Sequence, residues 1–234
     1  MNVPQFVMGI GSLVAGVTTL HGAIRGGRRS SLRGLGDRPV VVSAVGSPKA
    51  IIRNVANIDE RLAGVMEMIN KSIRDPQTRM ISSQIVSTRC SSPNELSGNG
   101  GWCVKEKDYN GEVKAVFNWM RANVRYVRDI HTIDTFATAA RTIQARAGDC
   151  DDYTITMGAL LMSLGYPVRT KTIRTTDSDD WNHIYLQVGL PPGKPTKWMT
   201  LDASVPRPAG WEAPKSMIAQ SRVDYPEDQK WKKR

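Results

Sequence analysis

Apolar positions recur along this chain with two different periods, and the change from one to the other organises the reading. Ser47-Pro48 is a good helix start, with proline at the first helical position. From there Ile51, Ile52, Val55, Ile58, Leu62, Val65, Met66, Ile69 and Ile73 follow a helical stripe to about Arg74. Asp75-Pro76 repeats the start signal, and Met80, Ile81 and Ile85 predict a second helix to about Thr88. Residues 91–111 are rich in Ser, Asn and Gly and read as a loop. Val113, Val116, Phe117, Met120 and Val124 share one face of a helix over 112–127, and a further helix is expected over 133–147, ending at Gly148. The clearest helix spans 149–164, with Asp149 as its N-cap and Gly165 as its stop. After it the period becomes two, and Val168–Thr175, 182–188 and 197–203 read as strands. Helices come first and strands second, so the expected class is α+β.

Upstream, residues 6–24 hold no Asp, Glu, Lys or Arg. Phe6, Ile10, Leu13, Val17, Leu20 and Ile24 recur three and four residues apart, like a heptad seam. The segment reads as an amphipathic packing helix or membrane-active segment, with a transmembrane anchor as the alternative. The positive charges follow the apolar run, which argues against a secretory signal. Residues 25–36 are a basic flexible linker, either a solvated tether or a phosphate-binding arm.

Charge sharpens this division. The net charge of +10 is uneven: residues 1–50 carry six basic residues against Asp37, 215–234 carry six against three acids, and 51–214 carry 20 against 18. That describes a nearly neutral domain with basic arms, and it disfavours a DNA-reading fold with a basic face. The organisation read from the sequence is an apolar helix and basic arm (1–46), a helical extension and loop (47–111), a core (112–206) and a basic tail (207–234). Cys90 and Cys103 flank the loop and are expected to be two structural thiols, a bridge being the alternative in an oxidising compartment. His21, His131 and His183 lack ligand spacing and no CxxC pair occurs, so no metal or other cofactor is expected.

Candidate chemistry centres on Cys150, His183 and Asp202. A thiol becomes a nucleophile when its pKa falls or a base adjoins it. Cys150 stands at a helix start, where unpaired N–H groups and the helix dipole favour a thiolate. Asp149, Asp151 and Asp152 oppose that, so a nearby imidazolium is needed. His183 lies opposite the apolar face of its strand, and Asp202 lies on the matching face of the next. A hairpin pairing Val188 with Lys197 would set His183 directly against Asp202, which could then hold the imidazole's tautomer. Taken singly, each of these residues has a structural reading as well. Trp181 and Tyr185 are read as core or rim packing, with the walls of an acyl site as the alternative.

The run RAGDCDDYTITMGALLMSL, followed by GYPVR, resembles the core of transglutaminase-like proteins. The upstream FNWMRANVRYVRD resembles that family's preceding helix, and WNHIYLQV and KWMTLDASVP resemble its His and Asp strands. The resemblance covers about residues 112–206. It implies a papain-like core, a helix bearing the cysteine packed on an antiparallel sheet, with an N-terminal helical extension. It also implies Cys150 as nucleophile, His183 as base and Asp202 as the orienting residue. The implied chemistry is acyl transfer on amide bonds of a protein or peptide substrate, with water (peptidase or amidase) favoured over an amine (transglutaminase) as acceptor. The Cys150 N–H is one plausible oxyanion donor, and a second would come from a preceding loop.

The stretch INKSIRDPQTRMISSQIV resembles the version of this family encoded by tailed bacteriophages and prophages. That implies synthesis in a bacterial cytoplasm and association with a virion. The competing reading is a non-catalytic virion or assembly protein on the same fold, its basic arms touching DNA, membrane or other virion subunits.

Overall fold

The computed structural model describes residues 50–53, 57–90, 100–128 and 134–226. The apolar segment 6–24, the basic linker 25–36, His131 and the end of the tail at 227–234 lie outside the described residues. In chain order the elements are β1 (Ala50–Arg53), α1 (Ile58–Ser72), α2 (Pro76–Val86), α3 (Tyr109–Asn123), β2 (Arg125–Tyr126), β3 (Asp134–Ala137) and α4 (Ala139–Ala145). They continue as β4 (Ala147–Gly148), α5 (Cys150–Ser163), β5 (Val168–Thr175), β6 (His183–Leu190), β7 (Lys197–Leu201) and β8 (Ile218–Asp224). A short 3₁₀ turn at Lys215–Met217 leads into β8.

The fold is α+β, with α5 packed on a four-stranded antiparallel sheet of order β7-β6-β5-β8. Every residue of α5 from Cys150 to Leu161 is buried, so this helix is enclosed on all sides and has no solvent face. One apolar cluster joins its far half (Met157, Leu160, Leu161) to Ile81 and Ile85 of α2, Phe117 and Met120 of α3, and Leu186, Val188 and Leu201 of the sheet. A second joins Leu62, Val65 and Ile69 of α1 to Phe136, Cys150, Ile155 and Ile184. Each large apolar side chain removed from water contributes about 1.5–3 kcal/mol. The helical extension therefore packs directly on the helix that carries the cysteine.

Local boundaries differ from the sequence expectation in instructive ways. The first helix begins at Ile58, not Ser47, because Asn57 supplies the cap and accepts from the Glu60 N–H at 3.0 Å. Residues 50–53, expected to be helical, instead form β1, antiparallel to β3. The helix expected over 133–147 is split: β3 comes first, Thr138 caps α4, and Arg146 ends it in the left-handed region at φ 54°. Helix α3 starts earlier than expected, capped by Asp108, and gives way to β2, which pairs in parallel with β4. The expected tail contains β8, whose pairing with β5 was not anticipated.

The two structural thiols expected at Cys90 and Cys103 are instead joined as a disulfide. Backbone bonds from Cys90 N–H to Gly101 O and from Cys103 N–H to Thr88 O, each 3.0 Å, bring the two segments together. Their Cα atoms are 4.8 Å apart, within bridging range. Among the described residues no helix is long and apolar enough to cross a membrane.

Candidate active site

The turn that carries Cys150 is held from three sides. The Asp149 side chain accepts from the N–H groups of Asp151 and Asp152, at 3.0 and 3.2 Å, and caps α5. The Arg125 and Val127 N–H groups donate to the carbonyls of Arg146 and Gly148, both at 2.8 Å. Asp152 Oδ1 accepts from the Ala137 N–H at 3.1 Å, tying β3 to the helix start. Gly148 is required by proximity, since a Cβ there would stand 2.6 Å from Asp152 Cβ.

Cys150 is 8% exposed, and its thiol donates to Asp151 Oδ1 across 3.9 Å. Burial pushes the thiol's pKa well above its ordinary value, and the Asp151 and Asp149 carboxylates add to that. The Arg61 guanidinium and the Ile184 backbone N–H act in the opposite direction. Arg61 comes from α1, and its Nε donates to Asp151 Oδ2 at 3.0 Å.

His183 Nε2 and Asp202 Oδ2 are 2.7 Å apart. An ionised carboxylate only accepts, so Nε2 carries the proton in this contact and Nδ1 is left as the ring's acceptor. Asp202 Oδ1 accepts from the Ser204 hydroxyl at 2.6 Å and the Ser204 N–H at 3.2 Å, which fixes the carboxylate.

The hairpin register expected from the sequence is corrected here. Val188 pairs with Met199 and Gln187 with Thr200, a slip of two residues from the expected pairing of Val188 with Lys197. An even slip preserves the faces, so His183 reaches Asp202 along a diagonal, not directly across.

Cys150 and His183 line one cavity of about 10 Å³ with Ile58, Arg61, Leu62, Asp151, Thr172, Trp181 and Ile184. That volume is on the order of a single water molecule. Its roof is the first turn of α1. Trp181 is thus at the thiol's cavity, whereas Tyr185 turns its hydroxyl to Glu212 at 2.5 Å. Asp202 joins this site through His183.

Three participants escaped the sequence reading. Arg61 reaches Asp151 across 90 residues, and nothing local marks it among the basic residues of the chain. The Thr172 hydroxyl is buried without a hydrogen-bond partner at the same cavity. Glu212, from the segment after β7, gathers Lys171 at 2.7 Å, Tyr185, Gln187 at 3.3 Å and Thr200 on the sheet face away from α5. Burial works against its charge, but hydrogen bonds from Lys171, Thr200 and Tyr185 outweigh it and hold the carboxyl below its ordinary pKa. Among the described residues no group of three His, Cys, Asp or Glu is arranged to hold a metal ion.

Comparison with known proteins gives the following picture. A candidate cysteine protease from Cytophaga hutchinsonii is similar in structure, with TM-score 0.38 and 19% identity, over 66% of this chain and 50% of that one. A candidate protease from Parabacteroides distasonis has TM-score 0.37 and 11% identity, over 62% of this chain and 26% of its own. A TGase has TM-score 0.34 and 16% identity, over 70% of this chain and 37% of its own. The chain thus spans half or less of the length of each. No curated protein matches the chain by sequence. Residues 102–203, the segment that contains Cys150, His183 and Asp202, match the family model of the transglutaminase-like superfamily.

Proposed function

We propose that this protein is a cysteine-dependent acyl-transfer enzyme acting on amide bonds, with Cys150 as nucleophile, His183 as base and Asp202 as the residue that orients it. The observation that carries the reading is the 2.7 Å contact between His183 Nε2 and Asp202 Oδ2, beside a cavity that His183 shares with Cys150. The superfamily match over residues 102–203 supports the same reaction class.

The steps follow from the groups present. His183 Nδ1 takes the thiol proton as Cys150 Sγ attacks the amide carbonyl carbon. The Asp202 carboxylate stabilises the imidazolium that forms. Negative charge on the carbonyl oxygen develops at the start of α5, where the Cys150 N–H is positioned as a donor. The C–N bond breaks as the imidazolium gives its proton to the leaving amine, and a thioester remains on Cys150. Water then attacks with His183 again as base, releasing a carboxylic acid and restoring the thiol. An amine in place of water yields a new amide. Burial and the neighbouring carboxylates raise the thiol's pKa, so attack needs His183 to take the proton.

A peptide does not fit a cavity of about 10 Å³, so substrate entry displaces the first turn of α1 or Trp181. Hydrolysis is the favoured outcome, with a protein or peptide substrate. The test is mass spectrometry of the full chain incubated with a mixed pool of peptides and primary amines. Peptide cleavage, deamidation or amine conjugation that is lost in Cys150→Ala supports the reading. An unchanged pool with the folded wild-type protein sinks it. The reading as a virion or assembly protein encoded by a phage rests on the sequence alone, and of the basic arms it invokes the N-terminal one lies outside the described residues.

A further inference from the structure

The start of α5 presents an electrostatic problem that the triad alone does not solve. Asp149, Asp151 and Asp152 are 5%, 1% and 7% exposed and lie within two residues of Cys150. Asp149 spends an oxygen on the helix cap, and Asp152 spends one on the Ala137 N–H. Asp151 is different. One of its oxygens faces the thiol at 3.9 Å and the other meets Arg61 at 3.0 Å. The three groups form a chain from guanidinium to carboxylate to thiol, with the Asp151 side chain 2% exposed and that of Arg61 27% exposed.

We infer that Arg61 and Asp151 are a pair of positioning residues that set the reactivity of Cys150: Asp151 holds the thiol in its protonated form, and Arg61, supplied by the helical extension, offsets that carboxylate. The inference rests on Cys150 being the nucleophile and adds a role for α1 in the chemistry of the site. An unpaired carboxylate this close to a thiol, with little water between them, would oppose thiolate formation strongly. Arg61 brings a permanent positive charge to the carboxylate that faces the sulfur at 3.9 Å. It also lines the thiol's cavity, so its charge acts on Cys150 directly as well as through Asp151. Among the described residues, other groups also face the thiol's surroundings. Asp149 and Asp152 lie on α5 and its cap, His183 with Asp202 behind it approaches from the sheet, and Tyr126 approaches from β2. Among the described residues Arg61 is the one Arg or Lys that lines the Cys150 cavity. If α1 shifts to admit substrate, the thiol's electrostatic environment changes with it.

The experiment is alkylation of Cys150 by iodoacetamide in the full chain, followed as a function of pH from about 7 to about 12, so that the raised midpoint and the plateau above it are both reached. The disulfide keeps Cys90 and Cys103 out of the reaction. Arg61→Met is expected to move the midpoint upward and to slow alkylation near neutrality about tenfold, with the high-pH plateau unchanged. Asp151→Asn is expected to move the midpoint downward and to speed the reaction about tenfold. Arg61→Lys, which keeps the charge, is expected to stay near wild type.

Midpoints that do not move in any of the three variants overturn the inference. A changed plateau with an unmoved midpoint also overturns it, because that is the signature of α1 acting as a cover alone. If Arg61→Met fails to fold, Asp151→Asn and Arg61→Lys decide the matter by the same readout. The two readings fail separately. Midpoints that respond to Arg61 and Asp151 in a protein inert toward the peptide and amine pool keep this inference and sink the acyl-transfer reading. Cys150-dependent turnover with unresponsive midpoints does the reverse.

Discussion

Three carboxylates at the start of α5 and a single one, Glu212, on the opposite face of the sheet behave differently. On the α5 side, Asp149, Asp151 and Asp152 flank a buried thiol, whose pKa is raised first by burial and then by the charges of Asp151 and Asp149. On the other side, Glu212 is hydrogen-bonded by Lys171, Tyr185, Gln187 and Thr200, and its own pKa is lowered. Glu212 spends its acceptors on donors that stay put, so its charge is neutralised locally and serves to hold strands together. Asp151 gives one oxygen to an arginine and turns the other to a reactive group. A carboxylate so placed acts on chemistry, while one saturated by donors acts on structure.

The largest expected effect separates these roles outright. Cys150→Ala reduces turnover to background and leaves the thermal midpoint within a few degrees of wild type. His183→Ala lowers kcat about 10²–10⁴-fold, the usual range for loss of a general base. Glu212→Ala should do the opposite, lowering stability by about 2 kcal/mol while leaving a measurable reaction. That figure reflects several lost hydrogen bonds, discounted because the Glu212 side chain is 37% exposed. Chemical denaturation of the three variants beside their turnover checks the contrast. A Glu212→Ala protein that is fully stable but inactive would reverse the assignment of roles.

The pH dependence of stability gives a smaller test. Glu212 has a folded pKa below its unfolded value, so its contribution is complete above the ordinary carboxylate range and is lost as pH falls through the depressed value. Wild type is therefore expected to exceed Glu212→Gln in stability near neutrality, and the gap is expected to close below about pH 4. Urea melts of the two proteins across that window measure it. A gap that stays constant would mean that the charge of Glu212 contributes nothing.

The candidate site and the Glu212 cluster were also unequally legible in the sequence. The candidate site is built from local signals. Asp149 caps α5, Gly165 ends it at φ 88°, and the period-two run Val168–Thr175 is β5 as expected. The pairing of His183 with Asp202 was anticipated through a register two residues off, and survived because side-chain parity survives an even slip. The slip follows from β6 running on to Leu190, where the Gly189 position is crowded by Pro167 and Pro195. Glu212 was illegible because it sits in a Pro- and Gly-containing connection with no period, and its partners are contributed by three strands. Arg61 was illegible for a related reason: its partner is supplied by tertiary packing, which periodicity cannot see. The strand pair β1 and β3 was misread as helix because short apolar runs fit either period until a partner strand is known.

Each side carries a tyrosine that reports on its carboxylates, and this gives the finest comparison. Tyr126 lies beside the helix start, and its pKa is pushed up to about 12, first by burial and then by Cys150 and Asp149, against Arg128. Tyr185 is raised still further, first by burial and then by its hydrogen bond to Glu212. In an alkaline titration read by tyrosinate absorbance, with Tyr126→Phe and Tyr185→Phe as references, Cys150→Ala should lower the Tyr126 midpoint by less than one unit. The sign follows because the sulfur's charge is one of the groups that raise the Tyr126 pKa, and alanine removes it. Tyr185 should not respond, since Cys150 is absent from the groups acting on it. Glu212→Gln should reverse the pattern, lowering the Tyr185 midpoint and leaving Tyr126 in place. A Tyr126 midpoint indifferent to Cys150 would mean that the field of the sulfur does not reach β2. The carboxylates at the helix start would then act over the distance of one hydrogen bond, and the contrast between the two faces would reduce to which donors each acid meets.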